Sequence, residues 1–131
     1  MNLFLWYPKC STCQKAYKEL QNLEIPFEAR DIKEQNPTKE ELKKWWKQSG
    51  LDLKKFFNTS GLLYKEQKLK DKLPNMTEEE QLELLASNGM LVKRPILITE
   101  NKVIIGYKKE EYNEKRNYNY SKWKHFKCPN L

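Results

Sequence analysis

The stretch Asn2-Leu3-Phe4-Leu5-Trp6-Tyr7-Pro8-Lys9-Cys10-Ser11-Thr12-Cys13-Gln14 decides how this chain is read. It begins with an apolar and aromatic run that stops at Pro8-Lys9, the pattern of a buried strand. Ser11 stands three residues before Gln14 in the arrangement of a helix cap, and Ala16, Tyr17, Leu20 and Leu23 follow at helical spacing. Pro26 to Asp31 then reads as a short strand, with Phe27 and Ala29 on one face and Glu28 and Arg30 on the other. Strand, helix and strand within about thirty residues predict two parallel strands joined by a right-handed crossover.

The turn between the first strand and the helix carries the chemistry. Free N–H groups at a helix N-terminus bear partial positive charge, and a thiol placed there ionises more readily to the reactive thiolate. Cys10 is therefore the candidate nucleophile, with Lys9, Ser11 and Thr12 as its immediate surroundings. Two residues separate it from Cys13, which places the two sulfurs within disulfide reach across the first helical turn and makes Cys13 the candidate resolving thiol. The plainer alternative is a pair of small core residues, but a turn that follows Pro8-Lys9 is a poor place for core packing. A zinc site would need His125 and Cys128 as second half, drawn from an irregular tail about 110 residues away and with no established metal spacing. No metal and no bound cofactor are expected.

Outward from this unit the chain turns helical. Thr38 with Glu41 forms a capping box ahead of Leu42, Trp45 and Trp46, and Ser49-Gly50 closes that helix. The adjacent Trp45 and Trp46 predict one buried ring and one partly exposed. Leu51 to Phe57 reads as a further short helix ended by Asn58-Thr59-Ser60-Gly61, and Thr77 with Glu80 opens another through Leu82, Leu84 and Leu85 to Asn88-Gly89. Pro95 to Thr99 and Lys102 to Gly106, rich in β-branched residues and separated by Glu100-Asn101, predict a hairpin. A last helix is expected from Lys108 to Arg116.

The 131 residues fit one domain able to bury a core without staples. Three cysteines, an odd count, speak against a secreted disulfide framework and for a reducing cytoplasm. The early apolar run matches neither a signal peptide nor a membrane span. The net charge of +7 lies mostly at the C-terminal end, so it says little about the domain itself. Residues 117–131 interleave Tyr118, Tyr120, Trp123 and Phe126 with Lys122, Lys124 and Lys127, the look of a nucleic-acid or anionic-surface binder or of a loosely docked or disordered extension. Arginine is scarce, being limited to Arg30, Arg94 and Arg116, which leaves few groups for forked oxyanion recognition and no expectation of sequence-specific DNA binding.

Pro8 to Ala16, Asn58-Thr59-Ser60-Gly61 followed by Tyr64-Lys65, and Leu91 to Leu97 followed by Val103 to Tyr107 resemble the arsenate reductase/Spx family, in the same order and from about residue 2 to residue 113. The resemblance implies an α/β fold: a thioredoxin-like, glutaredoxin-type mixed sheet of four strands with a helical insertion, about residues 38–90, between the second and third strands. The domain would span 1–116, and 117–131 would form its basic aromatic tail. It also implies a cis peptide before Pro95, with Lys93 to Pro95 set beside Cys10; residue patterns alone also allow a trans strand-start proline. In the reductases of the family three Arg surround the nucleophile; only Arg94 has a counterpart here, the other positions being Asn58 and Gly106. Two functions follow. One is a thiol–disulfide reductase using Cys10, Cys13 and Arg94, with glutathione or another small thiol as reductant, acting on a small thiol or an oxidised protein, and with arsenate as a substrate that the missing Arg disfavour. The other is an Spx-like redox-sensing regulator that contacts the C-terminal domain of the RNA polymerase α-subunit.

Overall fold

In a computed structural model, which describes residues 2–112, strand β1 (Asn2–Trp6) lies inside a four-stranded sheet between β2 (Phe27–Asp31) and β3 (Ile96–Ile98), with β4 (Val103–Ile105) at the far edge. β1 and β2 are parallel, as the strand–helix–strand unit predicts, while β3 runs antiparallel to both β1 and β4. The hairpin is present as read.

Register explains the two cores. Phe4 pairs with Leu97 and Leu97 with Ile104; one residue along, Leu5 pairs with Ile96 and Ile96 with Ile105. Successive residues of a strand point to opposite faces. The first row packs with Ala16 and Leu20 of α1 (Ser11–Asn22) and with Tyr112. The second packs with Leu42, Trp45, Leu82 and Leu85 of the helical insertion.

The insertion follows β2. α2 (Lys39–Ser49) has the Thr38–Glu41 capping box and ends on Gly50, whose φ of 68° suits a residue without a Cβ. Trp45 is buried, and half-buried Trp46 donates its indole N–H to the Leu51 carbonyl at 2.9 Å, so the expected split between the two rings holds. Leu53–Phe56 is a 3-10 turn, where the sequence predicts a short helix. α3 (Leu62–Glu66) and α4 (Leu69–Lys72) escape the sequence reading because elements of one turn show no apolar periodicity. α5 (Glu78–Ser87) carries the second capping box, Thr77–Glu80, and ion pairs from Lys39 to Glu79 and Glu83 cross to it from α2.

Arg30 belongs to this scaffold. Its guanidinium grips Glu41 with both Nη atoms, at 2.7 and 3.0 Å, and also bonds the carbonyls of Gln35 and Asn36. It is thereby removed from any oxyanion site. Residues 109–112 are helical, at the start of the expected last helix. The remainder of that helix, the domain limit at 116, Arg116, the tail 117–131, His125 and Cys128 lie outside the described residues.

Candidate active site

One cap assignment needs correction. Ser11 is the first residue of α1, and Cys10 is the N-cap, with extended backbone (φ −88°, ψ 124°) and no capping bond from its side chain. The turn starts one residue earlier than expected because the Cys10 N–H donates to the Tyr7 carbonyl at 2.9 Å and the Cys10 carbonyl accepts from Gln14 N–H at 3.0 Å. Gln14 then serves the other side of the turn, its amide donating to the Pro8 carbonyl at 2.7 Å. No hydroxyl or carboxylate is seated on the first N–H groups of α1, and those of Thr12 and Cys13 are left to favour the Cys10 thiolate.

The two thiols are treated in opposite ways. Cys10 is half-buried and Cys13 wholly buried. Partial burial works against ionisation of Cys10, but hydrogen bonds from the Cys13 backbone and thiol and from the Thr12 N–H, together with the Arg94 charge, outweigh it and hold the thiol below its ordinary value. Burial pushes the Cys13 thiol up to about 12, against a hydrogen bond from the Tyr7 N–H, 3.5 Å from Sγ, and with the Cys10 sulfur adding to the rise. The anion is thus favoured on the outer sulfur, with the inner one as its donor.

Arg94 precedes a cis peptide bond to Pro95, as the resemblance implies. Its guanidinium carbon lies 5.3 Å from the centre of the Tyr7 ring, and Nε and Nη1 are buried with no hydrogen-bond partner among the described residues. Orphaned buried donors of this kind carry a free-energy cost.

Cys10, Thr12, Asn58, Lys93, Arg94 and Gly106 line one cleft of about 490 Å3. The three positions matched to the reductase arginines thus meet at Cys10, but only Arg94 brings a charge. Pro95 braces the wall, accepting from the Gly106 N–H at 2.7 Å. Ser11 and Lys9 are exposed, and the charge that lowers Cys10 is that of Arg94. Ser60, Tyr107 and Lys108 also line the cleft without having been singled out as site residues; no local pattern marks them, since the hairpin and the insertion bring them in. Among the described residues no three potential metal ligands cluster, and no helix is long and apolar enough to cross a membrane.

A family model described as the ArsC family matches residues 5–115. The chain belongs to the ArsC family. It is 55% identical over 111 residues to the Bacillus subtilis protein YusI, covering 85% of this chain and 94% of that one. It is 34% identical over 104 residues to the B. subtilis regulatory protein MgsR, covering 79% and 81%. Of solved structures, an ArsC-family-related protein from Bacteroides fragilis matches with a TM-score of 0.84 at 60% identity, covering 88% of this chain and 96% of that chain. An arsenate reductase from Vibrio cholerae matches with a TM-score of 0.77 at 26% identity, covering 86% and 95%. The ArsC-family sheet is thioredoxin-like, as the motifs imply, and this family's members carry names of both regulators and reductases.

Proposed function

We propose that this ArsC-family protein is a thiol–disulfide redox protein in which Cys10 attacks, Cys13 resolves and Arg94 stabilises the Cys10 thiolate. The opposed settings of the two thiols, one lowered and half-exposed, the other raised and buried, carry the reading. The Cys10 thiolate attacks one sulfur of a disulfide substrate; that S–S bond breaks, a mixed disulfide forms, and the other sulfur leaves as a thiolate. Cys13 then loses its proton and attacks Cys10 Sγ, and the second substrate sulfur leaves and takes up the proton. The substrate gains two electrons and the pair becomes a disulfide. Two molecules of glutathione or another small thiol, oxidised together to one disulfide, return the pair to thiols. Both readings of the chain call for a reducing compartment such as the cytoplasm.

Arsenate is a poorer fit. Asn58 and Gly106 stand where two cations would be needed, and Lys93 in the same cleft is a less directional partner for a dianion than a guanidinium. The likeness to MgsR favours a second reading, in which the same pair is a sensor and the output is a contact with the RNA polymerase α C-terminal domain. The pH dependence of Cys10 alkylation by iodoacetamide tests the common step: a midpoint below the ordinary thiol range is expected, and an ordinary one overturns it. Capture of the α C-terminal domain that changes between reduced and oxidised protein would select the regulator.

A further inference from the structure

We propose that the Cys10 cleft continues into a lysine-walled groove that docks an acidic polypeptide segment, making an oxidised acidic protein the substrate class of the pair. The substrate class and the kinetic readout rest on the redox reading above, whereas the groove and its acidic occupant do not. The groove, about 660 Å3, shares Lys93, Ile105 and Lys108 with the Cys10 cleft and runs on past Phe57 to Lys54, Lys55 and Leu51. Its walls are tied together. Lys93 N–H donates to the Phe56 carbonyl at 2.7 Å, Asn58 N–H to the Leu91 carbonyl at 2.8 Å, and Phe57 bridges Val92 in antiparallel fashion. The 3-10 turn bearing Lys54 and Lys55 is thereby fixed to the segment that carries Arg94. Gly106, which lines the Cys10 cleft next to the shared Ile105, has a φ of 82°, and a Cβ there would stand 3.9 Å from Lys93 Cε.

Charge selects the occupant. Asp52 is the only acid among the described residues lining the groove. Within the described residues Lys54, Lys55 and Lys93 have no carboxylate partner, and Lys108 is 3.7 Å from Glu111, which holds Lys102 more closely at 3.0 Å. Ammonium groups on flexible stems, strung along a path, suit carboxylates spaced along a chain better than one compact oxyanion. Leu51, 41% exposed at the far end, offers an apolar contact that a polypeptide can use. Phe57, the only ring lining the groove among the described residues, is buried, so a nucleic-acid base finds no stacking platform there.

The test uses the full chain and short peptides whose central cysteine is a mixed disulfide with 2-mercaptoethanol, flanked by Glu/Asp, by Gln/Asn or by Lys. Exchange at Cys10 is expected to be about tenfold faster with the acidic than with the neutral peptide at low salt, and the preference should shrink as salt rises. Lys54→Glu/Lys55→Glu should bring the acidic-to-neutral ratio to about one. Lys44→Glu/Lys47→Glu, the same change of charge on α2 residues that line neither space, should keep it. The proposal is overturned if Lys54→Glu/Lys55→Glu leaves the ratio unmoved. It is likewise overturned if Lys54→Glu/Lys55→Glu slows exchange with glutathione disulfide as much as exchange with the acidic peptide, or if a single-stranded oligonucleotide displaces the peptide at matched charge. Should no peptide react, the redox reading fails by itself, and fluorescence anisotropy of a labelled, cysteine-free acidic peptide decides the groove. Salt-sensitive binding weakened by Lys54→Glu/Lys55→Glu then upholds it, and absence of binding overturns it.

Discussion

The two faces of the sheet do different work. The face under α1 is small and aromatic: Phe4 meets Tyr17 and Phe27 edge-on, Trp6 stacks on Tyr17 at 4.5 Å, and Ala16 and Leu20 fill the space below. The insertion face is larger and mostly aliphatic, with Leu42, Leu82, Leu85 and Leu91 closing over Leu5, Ile96 and Ile105. One face positions a helix N-terminus under a sulfur. The other supplies buried area, and through its Phe56–Asn58 edge it delivers one wall of the cleft. Stability and chemistry are therefore separable to a degree that experiment can measure.

The largest effect is expected at the chemical end. Cys10→Ser should abolish mixed-disulfide formation while Cys13→Ser accumulates it, as read by intact mass after exposure to a disulfide reagent; a Cys10→Ser protein that still forms the adduct on Cys13 would break the assignment of roles. On the opposite face, Leu85→Ala should cost about 2–5 kcal/mol in urea unfolding, since Leu85 is fully buried in the insertion core. The comparison sharpens if the folded fraction of this variant keeps the Cys10 alkylation midpoint of the wild type, and it fails if the midpoint moves with stability.

Arg94→Ala should raise the Cys10 pKa and slow its alkylation several-fold at neutral pH, because the Arg94 charge is one of the contacts favouring the thiolate. No change in rate would transfer the whole effect to the Thr12 and Cys13 N–H groups and the Cys13 thiol. A further effect concerns pH. Burial raises the Cys13 thiol to about 12 in the folded protein, above its unfolded value, so its contribution to stability is complete below the ordinary thiol pKa and disappears as pH rises towards 12. Wild type should accordingly lose more stability than Cys13→Ala over that alkaline window, by urea denaturation at matched pH values.

Much of the fold is legible in short-range patterns of the chain. A capping box is a local device, in which a hydroxyl and a carboxylate three residues apart satisfy each other's nearby N–H groups, and both boxes occur where Thr38 and Thr77 announce them. Ser11 misleads for the same reason. Its spacing to Gln14 fits a box, but the Cys10 N–H bond to Tyr7 draws the cap back by one residue. The family motifs carry the sheet, the insertion and the set of residues around Cys10.

By itself the sequence determined the order of the strands and of the longer helices, the placement of two cysteines at a helix mouth and the shortage of arginine, because these depend on composition and on neighbours a few positions apart. Only the tertiary structure decided what those residues meet. It committed Arg30 to Glu41, left two Arg94 nitrogens without partners among the described residues beside Cys10, and brought Asn58, Lys93 and Gly106 to the same cleft from three separate parts of the chain. The ionisation of a thiol depends on burial and on charges within a few ångströms, and those neighbours are assigned by packing across the sheet.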